Sequence, residues 1–81
     1  MKELLIDIAK GVVENPDAVV VTEDAPDEEG AITFHLTVAD SDTGRVIGKQ
    51  GRIAKAIRTV LRAVAYRQDL RINVEIESAG Q

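Results

Sequence analysis

The sequence predicts an α+β fold in which a three-stranded sheet carries its helices on one face. Two stretches, at 31–39 and 70–77, alternate apolar and polar residues, so each has a single apolar side. Two further stretches repeat apolar residues at helical spacing. A sheet with one apolar face and helices with one apolar stripe pack most economically as two layers.

In chain order, residues 2–14 read as a helix. Leu5, Ile8, Ala9 and Val12 fall at i, i+3, i+4 and i+7, with Lys2, Glu3, Asp7 and Lys10 mostly opposite. Asn15-Pro16-Asp17 ends it, because proline cannot continue a helix and biases the residue before it away from helical angles. The β-branched run at 18–23 predicts a strand. DAPDEEG, with Pro26, Gly30 and four acids, predicts a solvated turn. In the next strand Ile32, Phe34, Leu36 and Val38 face one way and Thr33, His35 and Thr37 the other. Asp40, Ser41 and Asp42 offer N-caps for a short helix from about Thr43 to Ile47. GKQG breaks it, with Gly48 expected in the positive-φ role at its end. A longer helix follows from about Arg52 to Tyr66. In it Ile53, Ile57, Val60, Leu61 and Val64 span an arc of about 100°, opposite Lys55, Arg58 and Arg62. Leu70, Ile72, Val74 and Ile76 mark the apolar side of the last strand. A single domain is expected over 1–78, with a frayed tail at 79–81.

At 81 residues the chain buries only roughly 60–65% of the surface it exposes when unfolded, so a partner surface fits its size. It has no cysteine, which suits a cytoplasmic setting and excludes disulfides and thiolate metal sites. No apolar run approaches the ~20 residues a membrane-spanning helix requires. The net charge of −4 hides a division. Residues 1–44 carry two lysines and eleven acids, a charge of −9, whereas 45–68 carry seven cations and no acid, a charge of +7. Residues 69–81 carry −2. That division offers a local basic patch to a polyanion; equally, it lets the two parts neutralise each other.

The basic segment holds the chemistry. GRVIGKQGRIAKAI, at 44–57, places three glycines within eight residues. A turn between helices needs one residue at positive φ; a second glycine, Gly51, stands where the next helix begins and leaves room for an anion beside backbone N–H groups. Lys49 at the tip and Arg52 just after add positive charge. The spacing is G-x-x-x-G-x-x-G, which matches neither a P-loop nor a dinucleotide fingerprint. An enzyme is not expected: His35 stands alone on the outward side of its strand, Ser41 and Ser78 have no evident base, and the carboxylates read as caps and turns. No metal or other cofactor is expected.

VIGKQGRIAKAI inside a strand–helix–helix–strand unit resembles the KH domain, a reader of single-stranded nucleic acid whose GXXG loop clamps about four nucleotides. The helix and strand placed before that unit resemble the type II, bacterial arrangement, order αββααβ. The likeness covers nearly the whole chain. A free-standing domain with NPDAV after its first helix and SDTGRVIGKQGRIAKAIRTV is similar to the family of small bacterial single-KH-domain RNA-binding proteins.

The resemblance implies single-stranded RNA as partner, held on its sugar–phosphate backbone by Gly48, Lys49, Gln50 and Gly51, with Arg45 and Arg52 flanking. It implies an apolar groove for bases, for which Val46, Ile47 and Ile53 are the candidates; core packing is the competing reading for all three. It further implies a cytoplasmic protein in post-transcriptional regulation, with an RNA-chaperone-like role and a link to cell-shape regulation. The implied assembly is a homodimer, a complex with a larger KH-containing protein, or both. Ala56, Val60 and Ala63, along one edge of the long helix, offer a possible dimer seam. Lys55, Arg58 and Arg62 read as a solvated face and Tyr66 as a packed residue. With Phe34 and Tyr66 the only aromatics, and with acidic EDAPDEE set to repel phosphate if it faces the groove, binding is expected to be modest, salt-sensitive and of low specificity. The alternative is a protein-interaction adaptor that keeps the scaffold and has little contact with nucleic acid.

Overall fold

The computed structural model describes residues 1–79; the side chain of Lys49 lies outside the described residues. The elements are α1 (Lys2–Val12), β1 (Val20–Glu23), β2 (Ala31–Val38), α2 (Asp40–Arg67) and β3 (Arg71–Ser78), with a 3-10 turn at Pro16–Ala18 before β1. The sheet order is β1-β2-β3. β1 runs antiparallel to β2, with Val21 opposite Leu36, and β2 runs parallel to β3, with Phe34 opposite Val74. A parallel neighbour requires a crossover connection, and α2 provides it.

The alternation seen in the sequence separates the two faces of the sheet. Val21, Phe34, Leu36, Val38, Ile72 and Val74 are buried under the helices. Leu5 and Ala9 of α1 and Val46, Ala54, Ile57, Leu61 and Ala65 of α2 complete the core. Across a strand pair, facing residues share a side of the sheet, so Thr22, His35 and Glu75 lie on the uncovered face. There His35 bridges two carboxylates: Nε2 lies 2.9 Å from Asp24 and Nδ1 2.8 Å from Glu77. Hydrogen bonding to Asp24 first, then to Glu77, raises the imidazole pKa from its ordinary 6.5 to about 9.

Several boundaries differ from the sequence reading. α1 ends at Val12, because Val13 is already extended. Pro16–Ala18 closes a tight turn, with the Val19 amide donating to the Pro16 carbonyl, and this shortens the first strand to Val20–Glu23. The two expected helices are joined in one helical span, 40–67, whose interruption survives as a pair of left-handed residues, Gln50 (φ 66) and Gly51 (φ 70). Gly48 is not at positive φ, so the expected role of Gly48 passes to Gln50 and Gly51. The buried stripe of the second arm is Ala54, Ile57, Leu61 and Ala65; the small side chains let the helix seat closely, and this rotation brings Val60 to 45% exposure.

α2 has no side-chain N-cap. Asp42, expected there, is instead buried and reaches back to the end of α1. Its carboxylate accepts from the Glu14 and Asn15 amides and from Asn15 Nδ2, each at 3.0 Å. The Glu14 amide is the largest influence holding its pKa below the ordinary carboxylate range; burial opposes it, while the Asn15 donors and the charge of Arg45 act in the same direction. α2 closes in a Schellman motif without glycine: Asp69 takes φ 62, its amide donates to Tyr66, and the Leu70 amide donates to Ala65 at 2.8 Å. Within the expected tail, the Ala79 amide donates to Val38 at 2.8 Å, and residues 80–81 lie outside the described residues.

Candidate nucleic-acid interface

The corner at 48–51 joins the two arms of α2. A glutamine at φ 66 has no steric freedom to spare: the left-handed region costs an L-residue roughly 1–2 kcal/mol. Strain of this kind persists where the surroundings impose it, and it gathers at functional sites. The corner is also open. A Cβ added at Gly48 or at Gly51 would meet no described atom within 4 Å beyond its neighbours in the chain and its own helix backbone. Neither glycine makes room for the protein's own atoms, so the space beside the backbone is available to another molecule.

The flanking residues divide by burial. Val46 is fully buried, which corrects its expected place in a groove: it anchors the first arm in the core. Ile47 is 45% exposed and stands at the surface beside the corner. Ile53 is partly buried against the core. Arg52 is exposed, while Arg45 is held by an ion pair with Glu14, Nη2 to Oε2 at 2.6 Å.

From the corner the second arm runs beside β3, an edge strand. Arg58 is not a solvated side chain as expected; its Nε donates to the Val74 carbonyl at 3.2 Å and covers the strand edge. Lys55 and Arg62 are exposed. Tyr66 reverses its expectation too, for it is 84% exposed. The sequence held a signal for this: Tyr66 follows Arg58 and Arg62 at steps of four, on the polar side of the helix. Ala56, Val60 and Ala63 are all exposed on the same arm. Among the described residues, no cluster of His, Cys, Asp and Glu could hold a metal ion, and no helix is long and apolar enough to cross a membrane.

Comparison with known proteins gives a consistent result. The family described as "KhpA/KhpB, KH domain" matches residues 2–76. The chain is 53% identical over 76 residues to the RNA-binding protein KhpA of Clostridium acetobutylicum, covering 94% of this chain and 99% of that protein. It is 49% identical to the RNA-binding protein KhpA of Listeria monocytogenes over 76 residues, 94% of this chain and 97% of that protein. Among solved structures, the chain superimposes on Era in complex with MgGDPNP and nucleotides 1506–1542 of 16S ribosomal RNA, with TM-score 0.69 and 18% identity. That match covers 95% of this chain but 29% of the Era chain, and it shows a shared fold: the αββααβ order and mixed sheet of a type II KH domain.

Proposed function

Because the chain belongs to the KhpA/KhpB KH-domain family, a family of RNA-binding proteins rather than enzymes, we propose that it holds single-stranded RNA at the corner Gly48-Lys49-Gln50-Gly51. The observation that carries this reading is the left-handed pair Gln50 and Gly51 standing in open space within a helical span. A nucleic-acid backbone can approach such a corner closely, and Lys49 and Arg52 supply charge for its phosphates. Ile47 and the exposed edge of Ile53 serve the bases, with Val46 behind them. Arg45 joins only by exchanging Glu14 for a phosphate. Grip on a backbone by a main-chain corner is indifferent to sequence, which suits an RNA chaperone or a post-transcriptional regulator.

The test replaces the two tip residues. Lys49→Asp/Gln50→Asp is expected to weaken binding to a short single-stranded RNA at least about tenfold while the far-ultraviolet spectrum and melting temperature hold. If about three phosphates are neutralised, log K falls with log salt at a slope near −2. A variant that binds as the wild type does would refute the corner as the grip.

Ala56, Val60 and Ala63 support self-association, or pairing with a larger KH-containing protein, through the second arm. Two linked sites raise avidity without new contacts. Val60→Asp is expected to shift the mass in solution to that of a monomer; an unchanged mass would place the seam elsewhere. The same exposed seam supports the adaptor reading, which gains if the tip variant keeps both its partner and its RNA.

A further inference from the structure

Tyr66 is the most exposed of the large apolar side chains in the described residues. It borders an open cleft of about 450 Å³ whose polar lining is Arg62, Arg71, Asn73, Asp27 and Glu29, with Leu70 among its apolar lining. The cleft continues the edge along which Arg58 meets Val74. Helix and strand keep step there, since four residues of α2 advance about 6 Å and two of β3 about 6.6 Å. Arg58 beside Val74 is thus followed by Arg62 near Ile72 and Tyr66 near Leu70. At about 1.5 Å per residue, Tyr66 stands about 22 Å along the second arm from Gly51.

We infer that this cleft is a second base site, in which Tyr66 stacks a base of the RNA strand held at the Gly48–Gly51 corner. The inference rests on the RNA-binding reading above. A tyrosine 84% exposed, beside two arginines, offers a stacking surface with cations for the flanking phosphates. Two carboxylates also line the cleft and repel phosphate: Asp27, whose Oδ1 already accepts from the Glu29 and Ala31 amides, and Glu29, 3.9 Å from Arg71, which accepts hydrogen bonds from an exocyclic amine. The occupant is accordingly a base that carries such an amine, adenine, cytosine or guanine, and not uracil. Because a KH corner clamps about four nucleotides, the second site is reached only by a longer strand.

The chain has a single tyrosine and no tryptophan, so its intrinsic emission reports this cleft alone. The experiment titrates the full chain with r(A)4, r(A)8, r(C)8 and r(U)8. Quenching of tyrosine emission is expected with r(A)8 and r(C)8, and little with r(A)4 or r(U)8. Tyr66→Ala should weaken r(A)8 about tenfold and r(A)4 less than about twofold, while Tyr66→Phe keeps wild-type affinity for both. Glu29→Ala should narrow the preference for r(A)8 over r(U)8. Unquenched emission on r(A)8, an unchanged r(A)8 affinity in Tyr66→Ala, or an equal loss on both lengths would overturn the second site. Lys49→Asp/Gln50→Asp separates the two ideas. If it abolishes binding of both lengths while Tyr66→Ala is silent, only the second site falls; if it binds both lengths normally, the corner falls.

Discussion

Asp42 and the corner at 48–51 belong to one helical span, about two turns apart, and they use their polar groups in opposite ways. Asp42 is 1% exposed and takes three hydrogen bonds from the end of α1, so its charge is consumed inside the protein. At the corner, no described atom beyond the adjoining residues and the helix's own backbone stands within 4 Å of where the glycine side chains would be, and a glutamine is held in a left-handed conformation. The first region fixes where the arm starts. The second keeps a distorted backbone with open space beside its glycines. A fold that satisfies its polar groups so fully at one point and leaves room at the next separates a structural joint from a binding one.

That contrast can be broken most sharply at Asp42. Asp42→Ala strands the Glu14 and Asn15 amides in a partly buried place, and the melting temperature should fall by roughly 10 °C or more. RNA affinity of the folded fraction should hold. Thermal melts followed by binding at low temperature check both halves, and a melt like that of the wild type would mean the joint carries no load. At the corner the expected effects are smaller and fall on binding as well. Gly51→Ala forces an L-residue to φ 70 without any clash, so it should cost about 1–2 kcal/mol in denaturant unfolding. Gln50→Gly relieves the same strain and should raise stability by up to ~1 kcal/mol, the gain being limited by the entropy of the unfolded chain. Equal losses for both variants would show that the left-handed pair is not strained.

The smallest effect lies away from both regions. Folding raises the pKa of His35 from 6.5 to about 9 through Asp24 and Glu77. Below about pH 6.5 the imidazole is charged in both states and its full contribution to stability is present; as pH rises toward 9 that contribution drains away. The melting temperature of the wild type minus that of His35→Gln should therefore shrink between pH 6.5 and 9. A difference that is flat with pH would show that the two carboxylates do not hold the ring.

The parts of the fold that follow from local pattern were legible in the residues. The alternations around Phe34 and Val74 identify β2 and β3 and the buried side of each. The paired glycines, with Lys49 between them, marked the corner. What could not be read depends on partners distant in the chain or on side chains of unremarkable propensity. Asp42 looks like a helix cap until its partners, 27 and 28 residues away, are in place. Gln50 carries no propensity for φ 66, so the residues point to Gly48 for the turn instead. Asp69 ends α2 in a conformation that normally announces itself with glycine. The apolar pattern points the helix stripe toward Val60 because Ala54 and Ala65 count as weakly apolar, although their small size lets them face the sheet. Residue type points Tyr66 to a packed position, against its place on the polar side of the helix.

The parallel pairing of β2 and β3 bears on the geometry of the corner. The chain leaves β2 at Val38 and must re-enter beside Ala31, at the opposite end of the pair, because Arg71 lies against Ala31 and Ser78 against Val38. Eight residues of strand extend about 26 Å, and the sixteen residues at 52–67 return about 24 Å as helix. The second arm thus closes the crossover by itself. The first arm adds nothing to that journey and acts as an outrigger, pinned by Asp42 and Val46, whose length decides how far beyond the sheet the bend is carried.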